Sequence, residues 1–111
     1  MKINAVYFYF NTFSEPGQAN PPRLLLATTS SITLQWNYIP IAYYEYYSVI
    51  QDGVEVMTNI YTNTATIDSL LSNTCYGFQI QAHNSAGKGP PSCENRFATS
   101  KQIRRTSSML F

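Results

Sequence analysis

The chain has 111 residues, enough for one domain with a single core and no need of metal or disulfide staples. Hydrophobic residues make up 44% and aromatic residues 14%, including nine tyrosines, while charged residues are only 12% against ~25% in an average soluble domain. That mix excludes intrinsic disorder and favours strands, and the absence of any apolar run near ~20 residues excludes a helical membrane span. Residues 1–100 carry four basic against six acidic residues, a balance of −2, while 101–111 carry +3. A slightly acidic body lacks the phosphate-neutralising surface that nucleic-acid binding requires.

In chain order, Met1–Phe10 (MKINAVYFYF) has an apolar stretch, Ala5–Phe10, shorter than the ~7–15 residues of a signal-peptide core and without a cleavage site after it. Residues 14–22 (SEPGQANPP) read as a Pro/Gly/Asn-rich linker, so 1–19 form an expected flexible leader. Strands follow at Arg23–Ala27 and Ser31–Asn37, the latter alternating Ile32, Leu34 and Trp36 against Thr33 and Gln35. Tyr43–Gln51 is the third strand, turned by Asp52-Gly53, whose residues both tolerate positive φ, into Val54–Thr58. Asn63–Asp68, then Cys75–His83 with its alternation of Tyr76, Phe78, Ile80 and Ala82, and finally Ser92–Ala98 complete seven strands. No segment shows helical periodicity. The reading is all-β: a two-sheet sandwich of seven antiparallel strands over residues 20–100, with 101–111 a flexible basic tail.

The pieces PPRLLL (21–26), SITLQW (31–36), YSVIQDG (47–53), Leu70 six residues before Tyr76, and FQIQAHNSAGKGPPS (78–92) together resemble a fibronectin type III domain. The resemblance covers about residues 20–100, and departs from the family at Ser72, where a proline is usual. It implies an immunoglobulin-like sandwich of three plus four strands with Greek-key connections. It also implies a core of Trp36, Tyr47, Val49, Ile67, Leu70, Phe78 and Ile80, and a tyrosine corner in which the Tyr76 hydroxyl bonds backbone near Leu70. The implied role is a non-catalytic adhesion, protein-binding or spacer module of a larger chain, with neighbouring fibronectin type III modules as partners and no cofactor. The abrupt ends suit a fragment or variant of such a chain. Two parents fit: a large extracellular adhesion protein of the usherin sort, or a multi-repeat fibronectin type III protein of intracellular membranes. Family frequency favours the extracellular setting.

Chemistry-bearing residues are few. The single histidine, His83, ends the sixth strand on its expected solvent face, and Cys93 begins the next strand, so a Cys–His nucleophile pair is the enzymatic alternative. It lacks an oxyanion-forming motif and a third orienting residue. Two cysteines and one histidine are too few for a closed zinc site, and NSAGKGPPS lacks the phosphate-loop pattern. Cys75 and Cys93 start antiparallel neighbours, so the register holds them far beyond the ~7 Å Cα separation of a disulfide. Two free thiols and no Asn-x-Ser/Thr sequon favour a reducing compartment.

Tyr38, Tyr43, Tyr44, Tyr46 and Tyr47 crowd the second loop and third strand. Tyr47 is expected inward, whereas Tyr44, Tyr46 and Ile50 are expected outward as a protein-binding face, since tyrosine offers large contact area at low entropic cost. The loop 83–91, with His83 and Lys88, is the other candidate binding surface, since adhesive members of the family it resembles carry Arg-Gly-Asp there; Ala86-Gly87-Lys88 stands in its place, so integrin binding by that route is not implied. In the tail, Arg104-Arg105-Thr106-Ser107 has a basophilic-kinase pattern and Met109-x-Phe111 resembles a PDZ ligand.

Overall fold

The computed structural model describes residues 14–40 and 43–102. Two antiparallel sheets face each other. The smaller holds β1 (Arg23–Ala27), β2 (Ile32–Gln35) and β5 (Thr64–Ile67), in the order β1-β2-β5. The larger holds β3 (Tyr46–Gln51), β4 (Val54–Ile60), β6 (Cys75–Asn84), β7 (Gly87–Lys88) and β8 (Asn95–Ala98). Within it the order is β4-β3-β6, and β6 pairs with β7 at one end and β8 at the other.

The side-chain period of two accounts for the layers. Along β2 and just beyond it, Ile32, Leu34 and Trp36 are fully buried, while Thr33 and Gln35 turn away. Val49, Phe78 and Ile80 meet them from the larger sheet, also fully buried, and Ile67 of β5, the neighbour of Ile32 in the smaller sheet, is buried with them. Trp36 sits at the centre, its backbone N–H donating to the Asn63 carbonyl (3.0 Å) and its carbonyl accepting from Asn63 Nδ2 (2.9 Å). Leu70 and Tyr76 pack against this core half-buried. The Tyr76 hydroxyl accepts the Leu71 N–H at 2.9 Å, closing the corner between β5 and β6.

The β3–β4 hairpin is made by Asp52 (φ 48°) and Gly53 (φ 86°), the left-handed pair of a two-residue turn. The Asp52 carboxylate also accepts the Gly77 N–H (2.8 Å), so the turn is tied to β6.

Several expected boundaries move. β3 begins at Tyr46 rather than Tyr43, and β4 runs on to Ile60 rather than stopping at Thr58. The last strand is regular only from Asn95, although the Ser92 N–H already donates to the Ile80 carbonyl (2.8 Å). At Ser92 the hydroxyl stands in for a backbone acceptor, taking the Ile80 N–H at 2.9 Å. Besides the seven expected strands an eighth, β7, forms a two-residue ladder with His83 and Asn84.

The stretch read as linker is neither helix nor strand, yet it packs. Pro16, Ala19 and Pro22 are buried. The segment runs beside residues 84–95: Asn84 Nδ2 donates to the Ser14 carbonyl (2.7 Å), Gln18 Nε2 to Pro91 (3.0 Å), and Asn95 Nδ2 to Pro22 (2.8 Å).

Candidate interaction surface at the aromatic end of the sandwich

From Trp36 a chain of rings leads out of the core. Tyr47, fully buried, meets the indole edge-on (centroids 5.5 Å, 71°). Tyr44 lies over Tyr47 (4.5 Å, 33°), and Tyr38 stacks on Tyr44 (6.3 Å, 27°). The Tyr47 hydroxyl accepts the Ile39 N–H at 2.9 Å, which fixes the backbone of the β2–β3 loop over the ring. Burial pushes the Tyr47 phenol up to about 12; the Ile39 hydrogen bond opposes the shift and the neighbouring Tyr44 adds to it.

Above this stack Tyr38, Ile39, Tyr44 and Tyr61 line an open groove of about 310 Å³. Tyr38 is 50% and Tyr61 65% exposed, so ring faces and hydroxyls are both available to a ligand. Tyr61 reaches the groove from the end of β4 and touches Tyr46 edge-on (6.3 Å).

The three residues expected to form one binding face, Tyr44, Tyr46 and Ile50, separate, and the two candidates of the 83–91 loop, His83 and Lys88, differ in exposure. Tyr44 does not point outward: it is half-buried against Tyr47 and lines the groove. Ile50 is half-buried between its partners Glu55 and Gln79. Lys88 is exposed on β7, opposite His83. His83 is not on a solvent face; it is buried, because Tyr46 stacks flat across its ring (4.6 Å, 11°) and its Nε2 bonds the buried Ser48 hydroxyl at 2.8 Å. Desolvation lowers the His83 pKa from its ordinary 6.5, with Glu55 opposing and Lys88 adding to the fall.

Ile39 and Tyr61 were not anticipated in the binding face. Counting back from the Asp52-Gly53 turn sets Tyr46 against Asn59, but two bulges in the β3–β4 ladder shift the register so that Tyr47 pairs with Ile60. Tyr61 thereby arrives beside Tyr46. The one sequence sign of this is Asn59, which takes the left-handed conformation (φ 56°).

The Cys93–His83 pair is not assembled. Cys93 is exposed beyond Ser92, whose N–H bonds Ile80, three residues before His83, and the His83 ring is committed to Ser48. Cys75 pairs with Ala98 at one end of the β6–β8 ladder, and Cys93 lies two residues before Asn95, beyond the other end, so the two free thiols are apart. Among the described residues no group of three or more His, Cys, Asp or Glu could hold a metal ion, and no helix is long and apolar enough to cross a membrane. Ala5–Phe10, Arg104-Arg105-Thr106-Ser107 and Met109-x-Phe111 lie outside the described residues.

A second apolar surface runs along β1, where a bulge between Leu24 and Leu26 leaves Leu24, Leu25 and Leu26 all exposed on an edge strand.

A family model described as the fibronectin type III domain matches residues 20–96. A receptor-type tyrosine-protein phosphatase S of Gallus gallus is 38% identical over 85 residues, which are 71% of this chain and 6% of that protein. The chain thus spans a small part of the relative's length. Among solved structures, the fibronectin type III domain of human fibronectin type III domain containing protein 3 superposes with a TM-score of 0.73 at 23% identity, covering 85% of this chain and 94% of that one. Chicken CNTN1 FN1-FN3 domains give 0.68 at 22% identity, over 78% of this chain and 31% of that one. Titin domains A168-A170 give 0.70 at 18% identity, over 79% and 33%. These likenesses to solved structures are likenesses of fold.

Proposed function

The chain belongs to the fibronectin type III family, and from that premise we propose that it is a non-catalytic protein-binding module of a larger protein, recognising its partner through the aromatic groove. Modules of this family typically serve binding and adhesion within larger multi-domain chains, and the fold is generally a non-catalytic one. The observation that carries the finer reading is the groove of Tyr38, Ile39, Tyr44 and Tyr61. Its floor is rigid, because Tyr44 rests on Tyr47 and Tyr47 on Trp36. Its walls are tyrosines, which supply contact area and a polar handle while losing little side-chain entropy. Preorganised aromatic anchors of this kind are where binding energy concentrates. The groove holds no charged side chain, so a partner would offer an apolar or aromatic projection rather than a charged one.

The test is a photo-crosslinking amino acid placed at position 61, compared with one placed at Leu71, which is exposed and lines no part of the groove. A protein crosslinked from position 61 and not from 71 supports the reading. Equal yields from both positions, or none from either, would favour a pure spacer.

A further inference from the structure

We propose that Ser48, His83 and Tyr46 form a relay that positions Tyr61, holding this wall of the groove while His83 is neutral and releasing it when His83 takes up a proton. The inference rests on reading the groove as the recognition surface and adds its regulation.

The relay is a line of contacts across the outer face of the larger sheet. Tyr46 and His83 are directly opposed in the β3–β6 ladder, so their side chains leave the sheet on one face. Ser48, two residues along β3, shares that face, and its hydroxyl bonds His83 Nε2 at 2.8 Å. The Tyr46 ring covers the imidazole (4.6 Å, 11°) and also meets Tyr61 in a T-shaped contact (6.3 Å, 65°). Tyr61 lies just past Ile60, the last residue of β4, and is 65% exposed, so its ring is steered by Tyr46 rather than by packing in the core.

This arrangement suits a neutral ring and not a charged one. Ser48 and His83 are both buried, and the hydroxyl can donate to or accept from a neutral imidazole but only accept from an imidazolium. Around the ring stand Tyr46 of β3, Glu55 of β4 and Lys88 of β7. Exposed Glu45 is tied to the His83 carbonyl through its N–H (2.7 Å), and exposed Glu15 lies beside Gly87, the residue before Lys88. Glu55 favours the proton, whereas burial, the largest influence, and Lys88 oppose it. An imidazolium regains its hydration only by leaving the cover of Tyr46, and Tyr61 then loses the ring it leans on. The opposite wall is independent, because Tyr38 stacks on Tyr44 and Tyr44 on Tyr47, which enters the core from the other face of β3. Acid therefore loosens one side of the groove and leaves the other in place.

The experiment titrates the full chain, with isotope-labelled tyrosine and histidine rings, by NMR from about pH 8 to about pH 5. Expected is a Tyr61 ring shift that follows the His83 midpoint below 6.5, with a several-fold rise in the flavin-sensitised photo-CIDNP signal of Tyr46. Tyr38, Tyr44 and the buried Ile80 methyls should hold their positions through that midpoint. Two variants should each leave Tyr61 flat: His83→Gln, which can still bond Ser48, and Tyr46→Leu, in which His83 still titrates. A Tyr61 signal that ignores the His83 midpoint, or follows it equally in Tyr46→Leu, would overturn the proposal. So would Tyr38 and Tyr44 moving together with Tyr61, which is general loosening, or a His83 that stays neutral until the domain unfolds. None of these failures touches the crosslinking result at position 61, which tests the recognition surface separately.

Discussion

The Tyr46 ring lies flat on the His83 imidazole, 4.6 Å between centroids and 11° between planes, and closes a buried hydrogen bond from His83 Nε2 to Ser48. Both rings look like surface side chains in the alternation of their strands; stacked, they make a small second core on the outer face of the larger sheet. Since burial lowers the His83 pKa in the folded state, the neutral imidazole is the native form. The unfolded chain has the ordinary value of 6.5, so above it both states are neutral and the full stability is present. Below 6.5 the unfolded state takes up its proton first, and stability falls until the folded imidazole also protonates. Urea unfolding across this window should show that loss, and His83→Gln should flatten it. An unchanged slope in the variant would place the titration elsewhere.

The two structural hydroxyls should differ in cost. Tyr76→Phe removes one bond to the half-exposed corner at Leu71 and should cost ~1 kcal/mol. Tyr47→Phe leaves the Ile39 N–H without its acceptor above a fully buried ring and should cost ~1–3 kcal/mol. Denaturant midpoints measure both. A spectrophotometric titration should also show one phenol ionising late, near 12, and losing that phase in Tyr47→Phe.

Gly89 is the joint between the N-terminal segment and the sandwich. A Cβ there would strike the carbonyl oxygens of Pro16 and Gly17, which are backbone and cannot swing aside. Gly89→Ala should therefore displace residues 14–19, at ~1–3 kcal/mol, while the β3–β6 ladder stays intact. Hydrogen exchange would read this as faster exchange over 14–19 with unchanged protection of β6. Uniform protection would show the segment contributes nothing at that contact.

Trp36→Ala should unfold the domain. The indole is fully buried at the meeting of both sheets, and a large-to-small change there costs ~3–5 kcal/mol, comparable with the whole stability of a small domain. The far-UV spectrum and the melting curve check it.

How far the sequence spoke depended on the range of the interaction. Ile32, Leu34 and Trp36 announced their burial by alternation, and Asp52-Gly53 announced its turn by residue type, because both are decided within a few residues. The sixth strand's alternation told less about its outer side. It set Gln81 and His83 facing away from the core, which is their place in the pleat, but burial there depends on what covers them: Tyr46 over His83, and the Gly89 carbonyl accepting from Gln81 at 2.8 Å. Tyr61 was hidden for a different reason. Two bulges move it by two positions relative to β3, and a bulge is a property of a pair of strands, marked in one of them only by Asn59. Pro16 and Ala19 sit in a composition that reads as linker, and their burial comes from distant parts of the chain, Gly89 beside Pro16 and the core cluster around Ala19.

The most direct measurement is proximity labelling from the module in its parent chain, wild type against Tyr38→Ala/Tyr61→Ala, with melting temperatures recorded alongside. Both side chains are at least half exposed, so their removal should leave the melting temperature nearly unchanged while the groove loses two walls. Loss of one or more labelled partners at unaltered stability is the predicted result. An identical partner set from an equally stable variant would contradict a recognition role for the aromatic end.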